Sequence, residues 1–165
     1  MIVFDSSTLV LLAKTELLDL LLNDYRGSVV VTSSVAEESI RKGTFDGLLI
    51  RKRIEEGKIK VQAARSEYSE KIMADFNINK GEAETIVAAL ANKGSVVATD
   101  DKSAIRACKL LNVLFTTAID VLITAKRKNL LTKEEAILKL EELSRQGRYK
   151  ARIIEDAKKK LKGDD

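Results

Sequence analysis

The chain has 165 residues, of which 45% are apolar and 33% charged, with 29 Lys and Arg against 25 Asp and Glu. That excludes a disordered chain and fits one domain with a sizeable core, while a net charge of +4 permits a nucleic-acid partner without demanding one. Histidine is absent, which excludes Ser-His-Asp and Cys-His triads, histidine-bound zinc and histidine general bases.

The chain opens on Ile2-Val3-Phe4, a short buried strand that ends at Asp5. It has no basic leader region, so it reads as a strand rather than a secretory signal. Ser6-Ser7-Thr8 supply helix-capping hydroxyls, and one helix is expected from Leu9 through Leu12, Leu17 and Leu18 to Leu22, closed at Gly27. The longest apolar run, Leu9 to Ala13, is too short to span a membrane. Val29-Val30-Val31 is a β-branched run of the kind covered on both faces in a parallel sheet. Thr32-Ser33-Ser34 cap the next helix, which carries Glu37 and Glu38, and Asp46–Glu56 follows as another, closed by Gly57.

Ile59-Lys60-Val61 alternates only weakly, as a short edge strand would. Ser66–Phe76 sets Tyr68, Ile72 and Phe76 on one helical stripe. Asn79 starts a helix through Gly81, Glu82, Glu84, Ile86 and Leu90 to a stop at Gly94. Val96-Val97-Ala98 is a third buried strand, ending at Thr99-Asp100-Asp101. The helix Ser103–Leu111, the strand Val113–Phe115, the helix Ile119–Lys128 and a helix opened by the capping-box pattern Thr132 to Glu135 complete the regular part. The last stretch, from Tyr149 to Lys162, is basic and helical in pattern. Strands alternating with helices predict an α/β fold in three layers, α/β/α, around a mostly parallel sheet of four to five strands. Residues 1–145 form the domain proper, and residues 146–165 form its basic helical tail.

The single Cys108 forbids an internal disulfide and fits a reducing, cytoplasmic compartment. It lies in an apolar stripe with Ile105 and Leu111, so it reads as a small core residue rather than a nucleophile. The absence of proline with abundant Lys and Glu is a weak thermophile signature.

The acids gather where an open α/β sheet binds ligands, beyond the carboxyl ends of its strands. Asp5 follows the first strand, and Asp100 and Asp101 follow the third. Glu38 lies one turn into the helix after the second, and Glu82 and Glu84 lie in the first turn of another helix. Carboxylates converging in one cleft repel one another unless a cation sits between them, and all-oxygen donors suit Mg²⁺ or Mn²⁺. Such a site is apparatus for phosphodiester hydrolysis. Taken singly, each acid is as well explained as a helix cap or a dipole partner. Lys102, Arg106 and Lys126 to Lys128 are candidate phosphate contacts. The tail cations Arg148, Lys150, Arg152 and Lys158 to Lys160 suit either an RNA surface or a solvated helix face.

The segments IVFDSSTLVLLAK, TSSVAEESI, NKGEAETIVAALANKG and VVATDDKSAIRACKLLNV, in that order, resemble the four motifs of PIN-domain ribonucleases, in particular stand-alone prokaryotic PIN proteins. The resemblance, which extends through TTAIDVLITAKRKNLLT, covers roughly residues 1–145. It implies a Mg²⁺- or Mn²⁺-dependent endoribonuclease that cleaves single-stranded RNA, with Asp5, Glu38, Glu84 and Asp101 as catalytic ligands and Glu82 and Asp100 as further metal-site acids. Glu84 holds the usual register to a small residue, Ala88, while Asp120 reads as a cap or surface residue. Two departures are a Glu at the third acid, where many relatives have Asp, and a missing proline before the second motif. The resemblance also implies a homodimer and the toxin role in a toxin–antitoxin pair, with an antitoxin protein as partner. Rival readings are a housekeeping RNA-processing or structure-specific nuclease, and a catalytically silent binding or assembly module. A phosphoaspartate receiver is disfavoured, because no Asp-x-Asp-x-Thr follows the first strand.

Overall fold

A computed structural model describes residues 1–41, 43–63 and 66–163, with only the backbone for Ser66. Five strands, β1 (Ile2–Phe4), β2 (Val29–Thr32), β3 (Ile59–Gln62), β4 (Val96–Ala98) and β5 (Leu114–Thr116), form one sheet in the order β3-β2-β1-β4-β5. Every pairing is parallel. The expected three-layer α/β architecture is the one the chain adopts. The β-branched runs become the central strands because both of their faces are covered: Val3, Phe4 and Val31 are fully buried.

One face of the sheet, through Val3, Val30 and Val97, packs on α5 (Ser66–Phe76), α6 (Lys80–Leu90) and α7 (Lys102–Leu110). The other face, through Phe4, Val29 and Val31, packs on α1 (Ser6–Lys14), α2 (Leu17–Asp24), α4 (Phe45–Glu55), α8 (Ala118–Arg127), α9 (Lys133–Gln146) and α10 (Ala151–Lys162). The short α3 (Ser33–Ile40) contributes Val35 and Ala36 to this second core. Fully burying one such large aliphatic or aromatic side chain contributes about 1.5–3 kcal/mol, so the two cores carry the fold. Among the described residues, no helix is long and apolar enough to cross a membrane.

Register places the chemistry. Phe4 lies opposite Val31 and Ala98, and Ala98 lies opposite Thr116. Strands β1, β4 and β5 therefore end flush, and Asp5, Thr99 and Thr117 follow them as a rim at the level of Thr32, the last residue of β2. The Asp5 amide donates to Ala98 O at 3.1 Å, and the Thr99 amide to Thr116 O at 3.0 Å, which ties the rim together. The chain runs outward from β1 to β3 and then returns to β4 on the other side of β1. The crevice of a parallel sheet opens at this reversal.

Three elements depart from the sequence expectation. The single helix drawn from Leu9 to Leu22 is two helices. The Thr15 hydroxyl donates back to Leu11 O at 2.9 Å, and Glu16 turns left-handed at φ 58°, which lets Leu17 and Leu18 both reach the core. The last strand begins one residue later, because the Val113 amide is spent on Cys108 O at 2.8 Å in the closing turn of α7. In the C-terminal stretch, the helix begins only at Ala151 and buries Ala157 and Leu161 against the core. Gly94, expected as a stop, takes φ +80°, where a side chain would be strained.

Candidate active site

Four helix N-termini meet at the strand-end rim. Asp5 caps α1 and accepts through Oδ1 from the Thr8 amide at 2.7 Å and the Ser7 hydroxyl at 3.1 Å. Thr32 caps α3. Asn79 caps α6 in a reciprocal box, in which the Glu82 amide donates to Asn79 Oδ1 at 2.9 Å and the Asn79 amide donates to Glu82 Oε2 at 3.1 Å. Asp101 caps α7, where Oδ1 accepts from the Ser103 and Ala104 amides at 2.7 and 2.9 Å. Each acid is thus locally explained as a cap. Convergence of the caps is what local sequence does not dictate.

Asp5, Ser6, Ser7, Glu38, Asn79, Gly81 and Glu82 line one small cleft of about 30 Å³. A Cβ built on Gly81 would stand 3.6 Å from Glu38 Oε2, so the Glu38 carboxylate lies against the start of α6. Glu38 is exposed and Asp5 is 2% exposed, so the cleft has a buried acid at its floor and an exposed one at its mouth. Burial pushes the Glu82 carboxyl up, and Asp101, Asp5 and Glu38 push it further by like charge, while the Asn79 amide opposes them. Asp101 therefore belongs to the same electrostatic unit, although it does not line the cleft itself. Larger cavities of about 310 to 500 Å³ lie elsewhere, between helices and at the opposite strand ends, without this convergence of acids.

Asp5 is the key to what the cleft can hold. Its Oδ2 is buried and, among the described residues, receives no hydrogen bond of normal geometry. Burial pushes its pKa up, and nearby Thr99, Thr8 and Ser7 offset that only in part. A buried carboxylate oxygen without a donor is costly unless a cation meets it. Mg²⁺ and Mn²⁺ fit an all-oxygen set of Asp5, Glu38, Glu82 and Asp101. Among the described residues, no three acids stand close enough to share one ion.

The remaining two candidates stand apart. Glu84 lies two residues beyond Glu82, about 200° around the helix, and so faces away from the cleft. It is buried, accepts a hydrogen bond from the Ser34 hydroxyl, and has Lys80 Nζ at 3.7 Å. Asp100 has both oxygens occupied. Oδ1 accepts from the Tyr149 hydroxyl at 2.7 Å, and Oδ2 accepts from the Thr8 hydroxyl and the Ala118 amide, both at 3.1 Å. Asp120, read as a cap, closes a box with Thr117 at the start of α8. Sequence reasoning passed over Tyr149 and Ser34. Each reaches its acid across about 50 residues of chain, so no local pattern announces the pairing.

Acids at the strand ends of a three-layer parallel α/β domain stand where such sheets bind their ligands. A protein-family model for the DUF3368 PIN domain matches residues 1–162, and the chain belongs to that family. PIN domains are nucleases that typically use divalent metals. Searches of curated proteins and of solved structures found no match.

Proposed function

We propose that the protein is an endoribonuclease that cleaves single-stranded RNA with Mg²⁺ or Mn²⁺ held by Asp5, Glu38, Glu82 and Asp101. The observation that carries the reading is the unsatisfied, buried Asp5 Oδ2 on the floor of a cleft that Glu38 and Glu82 also line. When bound, the cation supplies a water of lowered pKa and neutralises charge on the scissile phosphate. The chain does the rest. The Thr8 amide and Ser7 hydroxyl fix the Asp5 carboxylate. The N-terminal ends of α1, α3, α6 and α7 direct their positive dipole ends to one rim, which favours a phosphate there. Lys102, exposed beside Asp101, is placed to meet a flanking phosphate. Glu82 takes the third acidic position in this proposal and Glu84 supports α3 from behind.

The physiological setting proposed is the toxin of a toxin–antitoxin pair, acting as a homodimer in the cytoplasm. This part rests on the family resemblance alone. A second reading, a silent binding module, draws on the absence of a ready three-acid ligation point among the described residues.

The deciding experiment is cleavage of a fluorescent single-stranded RNA by purified protein with EDTA, Mg²⁺ or Mn²⁺, paired with thermal melts. The nuclease reading expects cleavage with metal only. It also expects about 2–3 kcal/mol of added stability at a hundredfold excess of metal over its dissociation constant. A protein neither cleaving RNA nor gaining stability with metal is the silent module.

A further inference from the structure

We infer that Tyr149, outside the acidic cleft and late in the chain, is a positioning residue for it; this rests on the nuclease reading above. The tyrosine lies in the link between α9 and α10, half-buried against the larger core. Its ring crosses Gly147 so closely that a Cβ there would collide with it. From that fixed seat its hydroxyl donates to Asp100 Oδ1 at 2.7 Å.

Asp100 passes the constraint to both flanking aspartates. The Thr8 hydroxyl donates to Asp100 Oδ2 at 3.1 Å and accepts from the Asp100 amide at 2.9 Å, so side chain and backbone of Asp100 are clamped by one residue. The Thr8 amide in turn holds Asp5 Oδ1 at 2.7 Å. Asp101 is the next residue and inherits the backbone direction set at Asp100. An unbroken run of hydrogen bonds therefore leads from Tyr149 to Asp5, and one peptide unit leads from the same knot to Asp101. Groups that orient a ligating carboxylate from behind commonly change metal affinity or turnover by about 10- to 100-fold when lost.

A plain anchoring role for Tyr149 is the alternative, and stability separates the two. Tyr149→Phe keeps the ring and deletes the one donor. Leu161→Ala loosens α10, whose Leu161 is buried in the core, and leaves the hydroxyl in place. Three readouts are needed: hydrogen exchange of peptides 5–9 and 99–104 in metal-free protein, Mn²⁺ affinity by calorimetry, and kcat and KM on RNA.

For Tyr149→Phe, exchange in both peptides should quicken, and Mn²⁺ affinity and kcat should each fall about tenfold. KM should hold close to wild type, and the melting temperature should fall only by the cost of leaving Asp100 Oδ1 without its donor, less than in Leu161→Ala. Leu161→Ala should lower the melting temperature and leave kcat unchanged. Asp100→Asn should match Tyr149→Phe in direction, with the double variant losing less than the sum of the two. Wild-type exchange and Mn²⁺ affinity in Tyr149→Phe would overturn the inference, and so would losses that merely track melting temperature in both tail variants. If wild-type protein binds Mn²⁺ but cleaves no RNA, the nuclease reading fails by itself. Exchange and Mn²⁺ affinity then still decide for or against Tyr149.

Discussion

Asp5 and Asp100 stand at the same edge of the sheet, each one residue beyond or close to the end of a central strand, yet their surroundings are opposite. Asp100 has a donor on each oxygen, three in all, from Tyr149, Thr8 and Ala118. Asp5 spends Oδ1 on its cap and leaves Oδ2 buried and unmet among the described residues. Burial raises both carboxyls, but only at Asp100 does each oxygen accept a hydrogen bond of normal geometry among the described residues. The difference teaches how a cluster of acids divides its labour. A carboxylate met on both oxygens is a fixed part of the wall, and one with a buried, unmet oxygen is where the proposed cation would act.

The comparison breaks most visibly at Asp5. Asp5→Asn should cut metal-dependent RNA cleavage by about 1,000-fold or more, the several kcal/mol a bound cation supplies to the transition state. The metal-free melting temperature should not fall, since Asn keeps the acceptor that meets the Thr8 amide and removes charge from a buried carboxyl whose Oδ2 has no donor among the described residues. A variant that cleaves at the wild-type rate sinks the assignment of Asp5.

The pair Glu82 and Glu84 sharpens the same contrast at smaller scale. Glu82→Gln is expected to lower kcat about 100-fold with little loss of stability. Glu84→Ala should keep kcat and lose about 1–3 kcal/mol in denaturant melts, because the Ser34 hydroxyl it satisfies would be left without its acceptor. Equal activity losses in both variants would place the two acids in one site and contradict the geometry.

The smallest effect is in pH dependence. Asp5, Glu82 and Asp100 are all raised in the folded state by burial. Their stabilising contribution is complete below the ordinary carboxyl range and is lost as pH rises through their raised values. Asp19 has the opposite sign. The Arg53 guanidinium, at 2.6 Å, lowers it, so its contribution is present above the ordinary range and lost as pH falls through its lowered value. Melts of metal-free wild type and Asp5→Asn from pH 4 to pH 7 should therefore diverge, with the variant gaining as pH rises. Saturating Mn²⁺ should close the gap from the wild-type side. Parallel curves would mean that Asp5 carries no unmet charge.

The fold was readable wherever one residue class had to do one job. Runs such as Val29-Val30-Val31 have no stable place except a covered strand, and Asp5 and Asp101 follow from where those strands stop. The break between α1 and α2 was not readable, because Thr15 and Glu16 are tolerated inside helices and only the depth of Leu17 and Leu18 forces the turn. The choice between Glu82 and Glu84 was half readable. Asn79 three residues before Glu82 announces a capping box, which points that side chain back toward the rim, whereas the Ser34 partner of Glu84 comes from a distant segment. The tyrosine behind Asp100 was invisible for the same reason.

The parallel register has a consequence in time. Strand β1 occupies the middle of the sheet, but its neighbour β4 pairs Val96 with Ile2, 94 residues away along the chain. At about 5–20 residues per second, a ribosome needs roughly 5 to 20 seconds to make the intervening chain. Until then Asp5 has neither the Ala98 carbonyl for its amide nor the Asp100 clamp on Thr8 beside it. Of the cleft's acids, Asp5 is made first and is among the last to be fixed in place, so its chemistry stays unassembled while the chain up to β4 is being made.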